Sequence, residues 1–224
     1  MNLSNNQPRA VLWDLDGTLI DSMPYHSQAW HDTLSPLGYS FTPEQFKPTI
    51  GLRNDEIVRD YLKLDLPYDE IERILLSKEE RYRALVRERG LVLLPGTQHW
   101  LTTLRATGWH QAIVTSAPRL NVEAILRVTD LGEMMDTIIC AEDVERGKPD
   151  PQPFLLAASR LAVPPEHCIV VEDAPAGIQG AQRAGMRTLG VLSTHRQLAA
   201  DRVVSSLTEL SDDAFEELLC ATQP

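Results

Sequence analysis

The chain reads as an α/β protein, a doubly wound parallel sheet carrying an inserted helical domain, and three observations predict it. Short apolar runs alternate with longer stretches of helical spacing. The runs are nearly continuous in Val, Ile, Leu and Ala instead of alternating with polar residues, as strands covered on both faces require. Between residues 22 and 89 this rhythm stops and only helix-type spacing is left. A length of 224 residues accommodates one large domain with such an insertion.

The first strand candidate is Ala10-Val11-Leu12-Trp13. After it, residues 25–34, 54–62 and 68–89 carry helical periodicity with abundant Glu, Arg and Leu. A single crossover does not need so many residues. The segment 22–89 is therefore assigned as a helical domain, hinged near Asp21 and Gly90, and the core comprises 1–21 and 90–224. Within the core, a helix over 96–107 follows Pro95, and one over 151–161 opens at Pro151, both prolines suiting a first turn. A further helix is expected over 120–128. Strands are expected at Gln111-Ala112-Ile113-Val114, Thr137-Ile138-Ile139-Cys140, Cys168-Ile169-Val170-Val171, Thr188-Leu189-Gly190-Val191 and Arg202-Val203-Val204. The tail 207–220 reads as one amphipathic helix burying Leu210, Phe215, Leu218 and Leu219.

Composition narrows the function classes. Hydrophobic residues make 43% and charged residues 24%, which is ordinary globular usage. A net charge of −11 argues against nucleic acid, whose phosphates are bound by clustered Lys and Arg. No run approaches the roughly 20 apolar residues of a membrane helix, and the polar first residues do not form a signal peptide, so a cytoplasmic protein is expected. Three widely spaced cysteines, Cys140, Cys168 and Cys220, point to thiols and not to a disulfide framework or a zinc site. His99, His110, His167 and His195 share no metal spacing, and Trp100 and Trp109 are expected to pack.

Four segments carry chemistry, each at the end of an apolar strand or in the loop beyond it. In Trp13-Asp14-Leu15-Asp16-Gly17-Thr18 two carboxylates follow the first strand, where open α/β sheets place their ligands. One could attack phosphorus while the other protonates the leaving oxygen and later activates water; alone, the segment also reads as an acidic turn. Glu172-Asp173 adds a second acidic pair, and four converging carboxylates imply a hard cation such as Mg2+. Gly147-Lys148-Pro149-Asp150 offers one lysine in a stiff loop, and Thr115-Ser116 offers a hydroxyl and N–H groups for phosphate, or a helix cap.

In this order, and with the flanking run Glu172-Asp173-Ala174-Pro175-Ala176-Gly177-Ile178, the sequence resembles haloacid-dehalogenase-superfamily phosphatases, which have a Rossmann-like core. The resemblance implies Asp14 as nucleophile, Asp16 as general acid/base, Thr115 (with Ser116) as phosphate ligand and Lys148 as the stabilising cation. It implies Mg2+ held by Asp14, the Asp16 carbonyl and Asp173, helped by Glu172. The insertion corresponds to that family's cap. Its first helix, with His26 and Trp30 one turn apart, resembles the equivalent stretch of β-phosphoglucomutase and related sugar-phosphate phosphatases. Thr49-Ile50-Gly51-Leu52-Arg53-Asn54 resembles the specificity loop, with Gly51 for an unusual turn and Arg53 as a substrate cation. The mutase carries its arginine further along, where this chain has Asn54, and Lys78 lies in the charged run Lys78-Glu79-Glu80-Arg81, which reads as a solvated face.

The expected activity is thus hydrolysis of a small phosphorylated metabolite, a sugar or polyol phosphate, with no nucleic-acid or membrane partner and a monomer or weak homodimer as the state. A phosphohexose mutase is the alternative, and a non-catalytic phospho-acceptor or binding protein the third reading.

Overall fold

The computed structural model describes residues 7–49 and 54–221. Among them six strands form one parallel sheet: β1 (Ala10–Trp13), β2 (His110–Val114), β3 (Thr137–Ile139), β4 (Cys168–Glu172), β5 (Arg187–Val191) and β6 (Arg202–Val204), in the order β3-β2-β1-β4-β5-β6. The chain winds outward from β1 through β2 to β3, then returns to place β4 on β1's other side. That reversal between β1 and β4 is the topological switch point, the crevice in which such sheets bind ligands. Register aligns the two ends: Trp13 lies opposite Val171 on one side and Ile113 on the other. Asp14 and Glu172 therefore follow side by side, and Thr115 comes one residue further on, past the end of β2.

Two compact units divide the chain. The first comprises residues 1–21, 92–122 and 130–224; the second comprises 22–91 with 123–129. The second unit contains α1 (Met23–Leu34), α2 (Pro43–Phe46), α3 (Asn54–Glu56) and α4 (Tyr68–Arg89). Pro24 stands in the first turn of α1, where its missing N–H leaves no bond unmade. On α4 the buried residues Ile71, Ile74, Lys78, Tyr82, Leu85 and Val86 follow three- and four-residue spacing, so one face meets the apolar cluster of Trp30, Leu34, Phe41, Phe46, Ile57 and Val58. Gly90 ends the helix at φ 70°, a conformation open to glycine. The helix expected over 54–62 is not uniform. After α3 the turn widens into a π-helix over Ile57–Tyr61, closed by Leu62 N donating to Ile57 O at 2.8 Å, and this wider turn buries the neighbours Ile57 and Val58 together.

The sheet unit continues through α5 (Thr97–Ala106), α6 (Arg119–Leu126), which crosses the unit boundary, α7 (Gln152–Leu161), α8 (Pro175–Arg183) and α9 (Ala214–Cys220). Side chains alternate across β1. Ala10 and Leu12 join Phe154, Ala157 and Leu161 of α7 and Ala181 of α8 on one face. Trp13, on the opposite face, lies 6.0 Å from Phe215 of α9, which itself lies 4.9 Å from Trp100 of α5. With Trp109 also 6.1 Å from Phe215, both Trp100 and Trp109 pack as expected.

The tail differs from the single helix expected over 207–220. It forms a 3-10 turn at Leu207–Glu209 and then α9, separated by Ser211-Asp212-Asp213, whose short polar side chains favour turns over helix interior. Trp100 Nε1 donates to Leu207 O at 2.9 Å, securing the turn. Phe215, Leu218 and Leu219 are buried as expected, while Leu210 is half-buried. Cys140 and Cys168 are buried thiols and Cys220 is exposed. Among the described residues no helix is long and apolar enough to cross a membrane.

Candidate active site

Asp14 leaves β1 with its N–H still bonded to Val171 O at 2.9 Å, so the sheet itself aims the residue beyond the strand ends. The chain then folds sharply: the N–H groups of Leu19 and Ile20 both point to Leu15 O, at 3.0 and 3.1 Å. Gly17 makes that turn at φ 85°, and a Cβ there would stand 2.4 Å from Asp173 Oδ2. Only glycine meets both demands. The turn keeps Asp16, bridged to Ile20, half-buried just past the end of β1.

Lys148 arrives from the loop before α7. Arg146 Nε bonds Asp150 Oδ2 at 2.7 Å, Gln152 N donates to Asp150 Oδ1 at 2.9 Å, and Arg183 donates to Pro149 O at 2.9 Å, so the loop is tied on three sides. Its buried Nζ lies 2.6 Å from Asp14 Oδ1 and 2.6 Å from Glu172 Oε1. The other Glu172 oxygen accepts Ala174 N at 2.9 Å. Gly177 of α8 passes so close that a Cβ would lie 1.8 Å from Glu172 Oε1, so any larger residue would expel that carboxylate. Asp173 accepts Thr18 Oγ1 at 3.4 Å on one oxygen and the Thr194 hydroxyl on the other.

Negative charge is in excess here. Asp14, Glu172 and Asp173, all buried, each offer an oxygen within 4.8 Å of the others, against one ammonium. Burial raises Asp14 well above the usual carboxylate range, with the charges of Glu172 and Asp173 adding and Lys148 opposing. Asp173 is pushed to about 7 by burial and then by the Glu172 charge, although the Thr194 bond acts the other way. For Lys148 burial disfavours the charge, but attraction to Asp14 and Glu172 outweighs it and the ammonium is held above its ordinary value. An all-oxygen set with surplus negative charge fits a hard divalent cation.

On the other side of β1, Thr115 is buried, its N–H bonded to Ile139 O at 3.0 Å and its Oγ1 accepting Ala117 N at 3.0 Å. The turn it makes leaves Ser116 exposed just past the strand end. Asp14, Asp16, Thr115, Ser116, Lys148, Glu172 and Asp173 all belong to the sheet unit, gathered at one end of β1, β2 and β4.

The remaining candidates belong to the helical unit. His26 is half-buried and stacks on Tyr82 with centroids 4.1 Å apart, while Trp30 is 1% exposed and packs edge-on against Phe41 at 6.0 Å, as a core side chain. Gly51 and Arg53 lie outside the described residues. Lys78 corrects the expectation of a solvated face, since it is 2% exposed. Its Nζ is 2.7 Å from Glu79 Oε1 and 3.0 Å from His26 Nδ1, which must accept because an ammonium only donates. Asn54 Nδ2 donates to the same Glu79 oxygen at 2.6 Å. A run of charged residues on a helix looks solvated in sequence; His26 and Asn54 come from distant parts of the chain and carry no local signal. Thr194, which also meets Asp173, went unread, and its neighbour His195 was read only as a histidine outside any metal spacing.

Comparison with known proteins identifies the family. The family model described as haloacid dehalogenase-like hydrolase matches residues 11–191. The chain is 34% identical over 205 residues to validoxylamine A 7'-phosphate phosphatase from Streptomyces hygroscopicus subsp. limoneus, covering 90% of this chain and 95% of that one. It is 32% identical to phosphoglycolate phosphatase from Salmonella typhimurium, over 95% of this chain and 92% of the relative. Among solved structures, a mutant form of CbbY from Rhodobacter sphaeroides in complex with xylulose-(1,5)bisphosphate superposes with a TM-score of 0.82 at 29% identity, covering 92% of this chain and 97% of that one. The chain belongs to the haloacid dehalogenase-like hydrolase family, as an enzyme of its phosphatase type.

Proposed function

We propose that the chain is a Mg2+-dependent phosphatase that hydrolyses a small phosphorylated metabolite, a sugar or polyol phosphate, through an aspartyl-phosphate on Asp14. The observation that carries this reading is the placement of Asp14 at the switch point, with the Lys148 ammonium 2.6 Å from its Oδ1 and Glu172 and Asp173 beside it. An Asp14 oxygen attacks phosphorus in line as the bond to the leaving oxygen breaks, and Asp16 supplies the proton that oxygen needs. Asp16 then takes a proton from water, whose oxygen attacks the phosphorus of the acyl phosphate and frees inorganic phosphate with Asp14 regenerated. In this reading Thr115 and Ser116 hold the phosphoryl oxygens, and Lys148 offsets the charge that builds on them.

Asp14, Asp173 and the Asp16 carbonyl would hold Mg2+, with Glu172 assisting. When bound, the ion supplies positive charge that lets an anionic ester approach a carboxylate.

The substrate class is supported by the relatives, whose names specify phosphatases of validoxylamine A 7'-phosphate and of phosphoglycolate, and by the sugar bisphosphate in the CbbY structure. A Mg2+-dependent phosphate-release screen over sugar, polyol, glycolate and nucleoside monophosphates tests it. Turnover of at least one sugar or polyol phosphate, abolished by EDTA, is expected; no release from any ester at saturating Mg2+ would reject the reading.

A second reading, phosphohexose mutase, is favoured by one observation. By its resemblance to β-phosphoglucomutase, Lys78 is the candidate for that enzyme's cap lysine, and it is buried against His26 and not solvated. Incubation with β-glucose 1-phosphate and catalytic glucose 1,6-bisphosphate separates the two, since glucose 6-phosphate marks the mutase and free phosphate the hydrolase.

A further inference from the structure

We propose that Thr194 is a positioning residue that sets the Asp173 carboxylate for metal binding, through the juxtaposition of its hydroxyl with Asp173 Oδ2 and its methyl with Gly17. The inference rests on the Mg2+ reading of the acid cluster and goes beyond it by naming what holds that cluster in place.

The turn after β5 is anchored at its start, where Leu192 N donates to Val204 O at 2.9 Å and Ser193 N to Val191 O at 3.0 Å. Three consecutive side chains then reach back to the site. Ser193 Oγ donates to Gly17 O. Thr194 Oγ1 bonds Asp173 Oδ2 and also lies 3.2 Å from Asp173 O. His195 Nδ1 stands 3.0 Å from Asp173 O and 3.0 Å from Thr194 Oγ1.

Counting hydrogens assigns the directions. An ionised carboxylate and a carbonyl accept only, and a hydroxyl has one hydrogen to give. Placed on His195 Nδ1, a proton is shared between Asp173 O and Thr194 Oγ1, which leaves the Thr194 hydrogen for Asp173 Oδ2. The methyl closes the arrangement, because a Cβ built on Gly17 would lie 2.9 Å from Thr194 Cγ2. Thr194 is thus held by its hydroxyl on one loop and by its methyl on the other. With Oδ2 bonded to Thr194 and Oδ1 facing the Thr18 hydroxyl at 3.4 Å, Asp173 is kept in a single orientation, so a cation meets a carboxylate already ordered. Side chains that orient metal ligands in this way commonly change metal affinity by about 10- to 100-fold when removed.

The test compares Thr194→Val, which keeps the shape and loses the hydroxyl, with Thr194→Ser, which keeps the hydroxyl. Mg2+ is titrated calorimetrically into EDTA-stripped protein, alongside the melting temperature of each metal-free variant. Thr194→Val should weaken Mg2+ by about tenfold or more, and Thr194→Ser by less than about threefold. The Mg2+ concentration for half-maximal phosphatase activity should shift in step. Wild-type affinity in Thr194→Val, or an equal loss in Thr194→Ser, overturns the role of the hydroxyl while leaving the phosphatase reading intact. A wild-type protein that neither binds Mg2+ nor needs it would overturn both.

Discussion

Two groups of buried charge, one in each unit, differ in how their charge is matched. In the sheet unit Lys148 serves two carboxylates at once, and Asp173 stands beside them without an ammonium of its own. In the helical unit Lys78 meets Glu79, with Asn54 sharing the same oxygen and His26 accepting from the ammonium. The second group sets its ammonium against one adjacent carboxylate, as a structural ion pair does. The first remains strained toward negative charge, and its carboxylates pay for that in raised proton affinity. Strain of this kind persists where a ligand or a reaction uses it. The contrast is between one ammonium facing one carboxylate and one ammonium shared among several.

The widest separation should come from Asp14→Asn. Removing the attacking oxygen's charge is expected to lower kcat by at least about 10^4-fold, since no neighbouring group replaces a nucleophile. It also removes one of three crowded carboxylates, so the metal-free variant should melt at or above the wild-type temperature. Loss of activity together with loss of stability would place Asp14 among structural ion pairs instead.

Next in size is the response to losing each lysine. Lys148→Met strands both Asp14 and Glu172 and should destabilise the metal-free protein by about 3 to 5 kcal/mol, the usual effect of breaking a buried pair from one side. Lys78→Met removes the ammonium from Glu79, which keeps its bond from Asn54, and about 1 to 3 kcal/mol is expected. Adding Glu79→Gln should recover part of the Lys78 loss, whereas Glu172→Gln should leave Lys148→Met inactive. Denaturant melts in EDTA measure all four, and equal losses for the two lysines would erase the distinction.

What could be read in sequence follows the same division. Asp14 was legible because an apolar run, two acids and a glycine stand together in one short segment, and because parallel strands carry their ligands at their ends. The sequence suggested hinges near Asp21 and Gly90 because the strand rhythm stops and resumes there, but the helical unit also takes in residues 123–129, which that rhythm assigned to the core. Lys78 was not, since its partner His26 is 52 residues away and a Lys-Glu-Glu-Arg run looks solvated from any local window. Nor was the turn that holds Asp173, for Ser193 bonds a carbonyl 176 residues earlier with a side chain common in any loop. The break in the tail could have been found in Ser211-Asp212-Asp213, which the apolar periodicity around it masked.

The smallest expected effect tests the charge imbalance by titration. Asp173 has a folded pKa of about 7, above the ordinary carboxylate value, so in the metal-free protein it takes up a proton as pH falls below that point. Its unfolded counterpart loses the proton near pH 4. Between those values the unfolded chain binds fewer protons than the folded one, and the metal-free protein must lose stability as pH rises. A divalent cation needs the ionised carboxylate, so Mg2+ binding below about pH 7 releases a proton and its apparent affinity should rise about tenfold per pH unit, levelling off above. Asp14, shifted in the same direction, can only steepen that slope. Calorimetric titrations in buffers of different ionisation enthalpy read the proton release directly, and melts with and without Mg2+ read the stability window. Glu79→Gln, in the other unit, should leave the slope as it was, whereas Asp173→Asn should flatten it along with the binding. An Mg2+ affinity constant from about pH 5.5 to 8 would mean that the acids of the sheet unit are already matched, and that the two groups differ only in position.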